Sequence, residues 1–124
     1  MVVDCTNTVK LVMRIIKHYM KYKVGRGIYS AVFIDTVMVG KFIRRLNCNR
    51  KPKSLSKIVS KTTHALACLA VRYGGFFTIN GNQLFIYLPI KAISKARKQE
   101  LMRTIYECTK KRAWHEIKKA KKVL

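Results

Sequence analysis

The sequence predicts an α+β fold, in which a small helix-helix-hairpin core lies between a basic N-terminal helix and a basic C-terminal helix. Hydrophobic residues make up 49% of the 124 residues, which is enough to bury a modest core. Apolar residues recur at helical spacing in several segments. An Asn-Gly pair between two apolar stretches is typical of a β-hairpin. We therefore divide the chain into a helical extension over residues 1–34, a core over residues 35–97 and a basic helix over residues 98–124.

The first predicted helix covers residues 8–23, with Thr6 or Asn7 as its N-cap. Its apolar residues recur at the spacing of one helix face, and they are Val9, Val12, Met13, Ile16 and Met20. Basic residues follow the same spacing on another face, and they are Lys10, Arg14, Lys17 and Lys21. Such a stripe is usually a solvated face. Because no acidic residue interrupts this one, we predict that it faces phosphate groups.

The second predicted helix covers residues 35–47, with Asp35 as its N-cap. Its inward face would consist of Val39, Phe42, Ile43 and Leu46. Arg44 and Arg45 project near its C-terminal end. The following residues, 48–57, are polar and basic and contain Pro52, which predicts an exposed loop.

The third predicted helix begins at Ser60 and ends at Gly74 or Gly75. Its apolar stripe is Ala65, Leu66, Leu69 and Ala70. The almost uncharged stretch that comes next, "RYGGFFTINGNQLFIYLP" (72–89), predicts a two-stranded ribbon that packs on the helices.

The turn of this ribbon is predicted at Asn80-Gly81, as type I′. One face would be buried, formed by Ile79, Leu84, Ile86 and Leu88, and the other would carry Thr78, Phe85 and Tyr87. Pro89 ends the second strand. The last helix is predicted over residues 93–124, with Ser94 as its N-cap and an apolar stripe of Leu101, Met102, Ile105 and Cys108.

The charge of the chain indicates a polyanionic partner. Its 27 Lys and Arg residues stand against 5 Asp and Glu residues, a net charge of +22. Self-repulsion of this size destabilises a compact free state. Nucleic acid is the first candidate, because each neutralised phosphate releases counterions, and an anionic membrane surface is the alternative. No apolar run approaches the roughly 20 residues that a membrane-spanning helix needs.

The cysteines are scattered, at positions 5, 48, 68 and 108, without a CxxC pair or a histidine at zinc-like spacing. This pattern predicts reduced thiols in an intracellular or organellar compartment, and no metal or other cofactor. His64 and Cys68 share a helix face but have no third orienting group, so we predict that the chain is not an enzyme. Trp114, among Lys and Arg, either packs in a crevice or stacks on a base.

Several segments, taken in order, resemble small-subunit ribosomal protein eight, especially its mitochondrial forms. "FIRRLNCNR" (42–50) is similar to the end of that family's first helix, and Ser60-Lys61 is similar to the pair that opens its second helix. "YGGFF" (73–77), "LFIYL" (84–88) and "IKAISKA" (90–96) are similar to its Gly-Phe corner, its strand and a later loop. The chain departs from the family in lacking its C-terminal rRNA-binding loop and in having Ala96 where a proline is usual.

This resemblance implies a structural protein of the small ribosomal subunit that binds rRNA beside neighbouring ribosomal proteins. It implies a mitochondrial ribosome, with a cytoplasmic ribosome as the alternative. The rRNA-facing positions that it implies are Arg44, Arg45, Asn47, Ser60, Lys61, Ser94 and Lys95. The charge pattern adds positions on the terminal helices, namely Lys10, Arg14, Lys17, Lys118, Lys119 and Lys122.

A second family competes with the first. "VGRG" (24–27), "IDTVMV" (34–39), "GNQLFIYLP" (81–89) and "ARKQEL" (96–101) are similar to scattered motifs of ribosome recycling factor. The alternative function is therefore a translation factor that binds the ribosome transiently.

Overall fold

The computed structural model describes residues 2–20, 23–24, 27–28, 30–50 and 53–110. In chain order its elements are β1 (Val3–Asp4), α1 (Thr8–Met20), β2 (Lys23–Val24), β3 (Gly27–Ile28), β4 (Val32–Asp35), α2 (Thr36–Arg45), β5 (Cys48–Arg50), α3 (Leu55–Arg72), β6 (Phe76–Asn80), β7 (Gln83–Leu88), α4 (Ile90–Ser94) and α5 (Lys98–Cys108). The predicted α+β class is confirmed.

A three-stranded antiparallel sheet, with strand order β4-β7-β6, forms one side of the fold. The predicted hairpin is confirmed as β6 and β7, but β4 adds a third strand where the sequence predicted only a helical extension. The turn also differs, because Gly81 and Asn82 lie between the paired residues Asn80 and Gln83. Gly81 has φ +63°, and no described residue other than glycine has a positive φ. Glycine at the first central position is typical of a type II′ turn rather than type I′.

The inner face of the sheet packs on α3. Four of its side chains on β6 and β7 are buried, namely Phe77, Leu84, Ile86 and Leu88. The predicted inward position Ile79 is half-buried. Residues 65–70 of α3 are buried on every side, because α3 contacts β7, α1, α2 and α5. The predicted stripe of α3 is thus confirmed and lies at the centre of the core.

Helices α1 and α2 begin as their sequences predict. The Lys10 amide donates to Asn7 Oδ1 at 3.2 Å, and the Met38 amide donates to Asp35 Oδ1 at 2.8 Å. On α1 the predicted Val12 and Ile16 are buried. The α1 core face is completed by Leu11 and Ile15, and on α2 the buried side chains are Val39 and Ile43. Both helices therefore contribute to one hydrophobic core with the sheet.

Two predicted helix boundaries are wrong. Helix α3 begins at Leu55 with Ser54 at the N-cap position, so Ser60 and Lys61 lie inside the helix instead of opening it. The C-terminal segment forms two helices, and Ser94 is the last residue of α4 rather than the N-cap of a long helix. The extended backbone of Arg97 (φ −66°, ψ 139°) separates α4 from α5. The predicted tail beyond residue 110, with Trp114, lies outside the described residues.

The prediction of reduced thiols is wrong. Cys5 is bonded to Cys48 and Cys68 to Cys108, with Cα atoms 5.5 and 5.7 Å apart. The first bridge joins the residue after β1 to β5, the strand with which β1 pairs in parallel, and the second joins α3 to α5. The partners lie 43 and 40 residues apart in sequence, so no local motif reveals them. Disulfides persist in oxidising compartments and in intracellular proteins of hyperthermophiles. The cysteines therefore no longer support the predicted compartment, which stays a prediction.

Candidate nucleic-acid interface

An open groove of about 830 Å³ lies between α2, the first half of α3 and the tip of the β6–β7 hairpin. Its lining residues include Thr36, Gly40 and Arg44 of α2, Ser56, Val59, Ser60 and His64 of α3, and Gly81, Asn82 and Gln83 of the hairpin turn. The Leu84 amide donates to Thr36 Oγ1 at 2.9 Å. This bond ties the hairpin to the start of α2, so two of the three elements that line the groove are joined directly.

The first half of α3 presents a polar face beside this groove. Ser56, Lys57 and Lys61 are exposed, and Ser60 and His64 are half-buried. These positions recur at the spacing of one helix face. On the opposite face Ile58, Thr62 and Ala65 are buried. The exposed polar face therefore belongs to the first half of α3, and the fully buried residues 65–70 follow it.

Polar groups along α3 are held by its own backbone. His64 Nδ1 lies 2.7 Å from the Ser60 carbonyl oxygen and 3.4 Å from Ser60 Oγ. The buried Thr62 hydroxyl donates to the Ile58 carbonyl oxygen at 2.7 Å. Because Cys68 is bonded to Cys108, it has no thiol to act with His64 as a nucleophile.

Basic residues outnumber acidic ones around the groove: Arg44 lines it, and Asp35 adjoins it at the N-cap of α2. No acidic residue occurs between Asp35 and Glu100 in the sequence. Arg44 and Arg45, in the last turn of α2, are both exposed. Elsewhere, the Thr6 hydroxyl and amide donate to Asp4 Oδ1 at 2.6 and 3.0 Å and lower the pKa of that carboxyl. Few carboxylates therefore offset the basic residues of α2 and α3, and Asp35 is a carboxylate that adjoins the groove through Thr36.

The predicted site residues divide between this groove and other surfaces. Arg44 and Ser60 line the groove, and the exposed Arg45 and Lys61 are their chain neighbours. Asn47 is exposed in the connection between α2 and α3, and its carbonyl oxygen accepts from the Val3 amide at 2.9 Å.

The other predicted positions do not line the groove. The exposed Ser94 donates its hydroxyl to the Lys91 carbonyl oxygen at 2.7 Å, and Lys95 is exposed after α4. On α1, Lys10 and Lys17 are exposed and Arg14 is half-buried. The remaining predicted positions lie outside the described residues, and they are Lys118, Lys119 and Lys122.

The sequence prediction missed four polar groups of this region: Ser56, Lys57, Asn82 and Gln83. The two on α3 were missed because residues 48–57 were predicted to be a loop. A signal was present, since Leu55, Ile58 and Thr62 continue the apolar spacing of α3 toward its N-terminus. Asn82 and Gln83, on the hairpin, were missed because the turn was predicted one residue too early.

Comparison with known proteins adds no relative, because no family model, no curated protein and no solved structure matches the chain. Among the described residues, no three or more His, Cys, Asp and Glu side chains come together as a group that could hold a metal ion. Of the helices that the structure describes, none is long and apolar enough to cross a membrane.

Proposed function

We propose that this chain binds double-stranded DNA by placing the first half of α3 in the major groove, as a winged helix-turn-helix does. The observation that carries the proposal is the order α1, β4, α2, α3, β6 and β7, with β4 paired to β7 in one sheet. In a helix-turn-helix the second helix is the recognition helix, and its N-terminal residues contact base edges. In this chain α2 and α3 would be the first and second helices, and the N-terminal half of α3 carries exposed Ser56, Lys57 and Lys61.

The dimensions and the charge of α3 suit this partner. A helix is about 10–12 Å across with its side chains, and the major groove of B-DNA is about 12 Å wide. Ser56, Ser60 and His64 supply groups that can bond to base edges. Lys57 and Lys61 flank them and can reach phosphates, as can Arg44 at the end of α2. The hairpin turn, with Asn82 and Gln83, would lie against the neighbouring backbone as a wing.

The ribosomal function remains a second proposal, because net charge +22 suits rRNA as well as DNA. In that proposal the chain is a structural protein of the small subunit, at a mitochondrial or cytoplasmic ribosome, with a recycling-factor-like role as its alternative. The two partners differ in shape. The major groove of A-form RNA is deep and narrow, so side chains cannot read it and a helix cannot enter it.

The deciding experiment compares a B-form DNA duplex with an A-form RNA duplex of equal length and charge. Binding would be followed by fluorescence anisotropy between about 50 and 200 mM salt. The variant Lys57→Gln/Lys61→Gln removes two charges from α3. Its matched control, Lys98→Gln/Arg103→Gln, removes two charges from exposed positions of α5.

We expect tighter binding of DNA than of A-form RNA. Each lost phosphate contact lowers the slope of log K against log salt by about 0.9, so the α3 variant should lose about 1.8 from that slope. The control should bind DNA as the wild type does. Equal weakening by both variants would refute α3 as the contact surface. Preference for RNA, together with one copy per ribosomal particle after high-salt washing, would favour the ribosomal proposal instead.

A further inference from the structure

The outer face of the sheet carries exposed aromatic side chains on a surface separate from the groove. Phe33 of β4 pairs with Tyr87 of β7, and Tyr87 pairs with Phe76 of β6, so the three lie in one row across the sheet. Phe33 is 69% exposed and Phe76 is 54% exposed. Phe85, on the same face toward the hairpin turn, is 39% exposed. We call these four residues the aromatic face.

Contacts among the rings of the aromatic face hold them in defined orientations. The Phe76 and Tyr87 rings stack with centroids 4.9 Å apart and an interplanar angle of 6°. The Phe33 ring meets Tyr87 edge-on, at 5.1 Å and 72°. A flat ligand that stacks on such preformed rings loses less free energy to ordering the protein.

The size of the aromatic face argues against a second copy of the chain as its occupant. An aromatic side chain has about 150–250 Å² of surface, so the exposed parts of Phe33, Phe76 and Phe85 sum to about 300 Å². A stable dimer buries about 800 Å² on each partner. A second copy would therefore have to cover much more surface of a chain with net charge +22, which brings like charges together.

Unpaired bases fit the size of the aromatic face, whose one charged neighbour in the sheet is Asp35 of β4, paired with Phe85. The aromatic side chains of single-strand-binding sheets stack two or three bases, and every base has a π face on which to stack. The strands β4, β6 and β7 contain no Lys or Arg, so affinity here must come from stacking. The basic residues that follow β7 in the chain are the exposed Lys91 of α4 and Lys95, and they are the candidates for contacts with phosphates beside the stacked bases. The Lys91 amide also donates to the Ser30 carbonyl oxygen, just before β4.

We propose that the aromatic face binds the unpaired bases of single-stranded nucleic acid, DNA or RNA, by stacking. This binding is independent of duplex binding by α3. The two surfaces would let one molecule hold a duplex and an adjoining unpaired strand.

The test compares a thymidine 12-mer and a uridine 12-mer with 12-mers of equal charge that carry abasic sugars. The ratio of the two affinities reports base contacts, while phosphate contacts cancel. The variant Phe33→Leu/Phe76→Leu keeps apolar side chains but removes two rings. Its matched control, Phe33→Tyr/Phe76→Tyr, keeps both rings. Circular dichroism would check that each variant is folded.

We expect the wild type and the Tyr control to prefer the strands that carry bases. Each stacked base is worth about a 5- to 150-fold preference, which the Leu variant should largely lose without a change in its salt slope. The Leu variant should bind duplex DNA unchanged, so failure here and failure of the α3 proposal are distinguishable.

Photo-crosslinking of the wild-type chain gives a readout that does not depend on folded variants. With 5-iodouracil strands we expect crosslinks at Phe33, Phe76 or Tyr87. Equal affinity of the wild type for base-carrying and abasic strands would overturn the proposal. So would crosslinks confined to α3, or a dimer in sedimentation equilibrium that Phe33→Asp dissociates.

Discussion

Replacement of Cys68 and Cys108 by Ala removes the bridge between α3 and α5, and its cost can be worked from the chain. The bridge closes a loop of 40 residues. The chain-entropy relation gives about 13 cal/mol/K for a loop of this length, or about 4 kcal/mol at 25 °C. The loop closed by Cys5 and Cys48 spans 43 residues and gives about 4 kcal/mol as well.

The two loops do not overlap in sequence, so their contributions should add. Loss of both bridges then costs about 8 kcal/mol. A domain of this size has about 5–15 kcal/mol of unfolding free energy in total. Self-repulsion from a net charge of +22 lowers that total further at low salt. We therefore expect the chain without either bridge to be largely unfolded at low salt.

Urea denaturation measures these costs. The oxidised wild type, each paired Ala variant and the fourfold Ala variant would be unfolded under identical salt, with thiol titration to report the redox state. Cys68 and Cys108 are 7% and 0% exposed, whereas Cys48 is half-buried. We expect the Cys5–Cys48 bridge to be reduced first under native conditions.

Two results would refute this reasoning. If the native wild type, purified without reductant, titrates as four free thiols, the bridges do not form. If the bridges form but each paired variant loses less than about 1 kcal/mol of unfolding free energy, the disulfides do not stabilise the fold by restricting these loops in the unfolded chain.

Four substitutions give further predictions, each read out by urea unfolding. A Cβ at Gly75 would collide with the carbonyl oxygen of Tyr87, so Gly75→Ala should cost about 3 kcal/mol of unfolding free energy. Gly81 lies in open space at φ +63°, so Gly81→Ala should cost only about 1 kcal/mol. Equal costs for the two variants would contradict the packing argument. Among the described residues, the buried Tyr73 hydroxyl has no hydrogen-bond partner, so Tyr73→Phe should leave stability unchanged or raise it by up to about 1 kcal/mol, and a loss would mean that the hydroxyl is hydrogen-bonded. Asp35→Ala removes the cap of α2 and should cost about 1 kcal/mol, whereas no loss would show that the cap is dispensable.

Local patterns predicted much of this fold. The helical spacing and caps identified α1 and α2, because both signals lie within a few residues of each other. The alternation in β7 assigned Leu84, Ile86 and Leu88 to the core. Strand β4 was missed because its four residues carry little pattern of their own and become a strand by pairing with β7. Both disulfides were missed for the same reason, since only the tertiary fold brings their cysteines together.

The candidate site was predicted by residue type more than by place. Arg44, Ser60 and Lys61 were identified through charge and resemblance, and they lie on or beside the groove. That they share a surface with the hairpin turn depends on the packing of α2, α3 and β7, which no single segment encodes. The start of α3 could have been predicted from the sequence, because Leu55 and Ile58 extend the apolar spacing of this helix toward its N-terminus.

The almost uncharged stretch 72–89 supplies side chains to both faces of the sheet, and truncations on the two faces should differ in their cost to stability. Phe77 points into the core and is 6% exposed, so Phe77→Ala should cost about 3–5 kcal/mol. Its neighbour Phe76 points outward, so Phe76→Ala should lose only its stacking on Tyr87, about 1 kcal/mol. If Phe76→Ala costs as much as Phe77→Ala, folding alone explains the outer rings. If it does not, burial in the core explains the inner residues of the hairpin but not the outer rings, as we expect if those rings bind the proposed ligand.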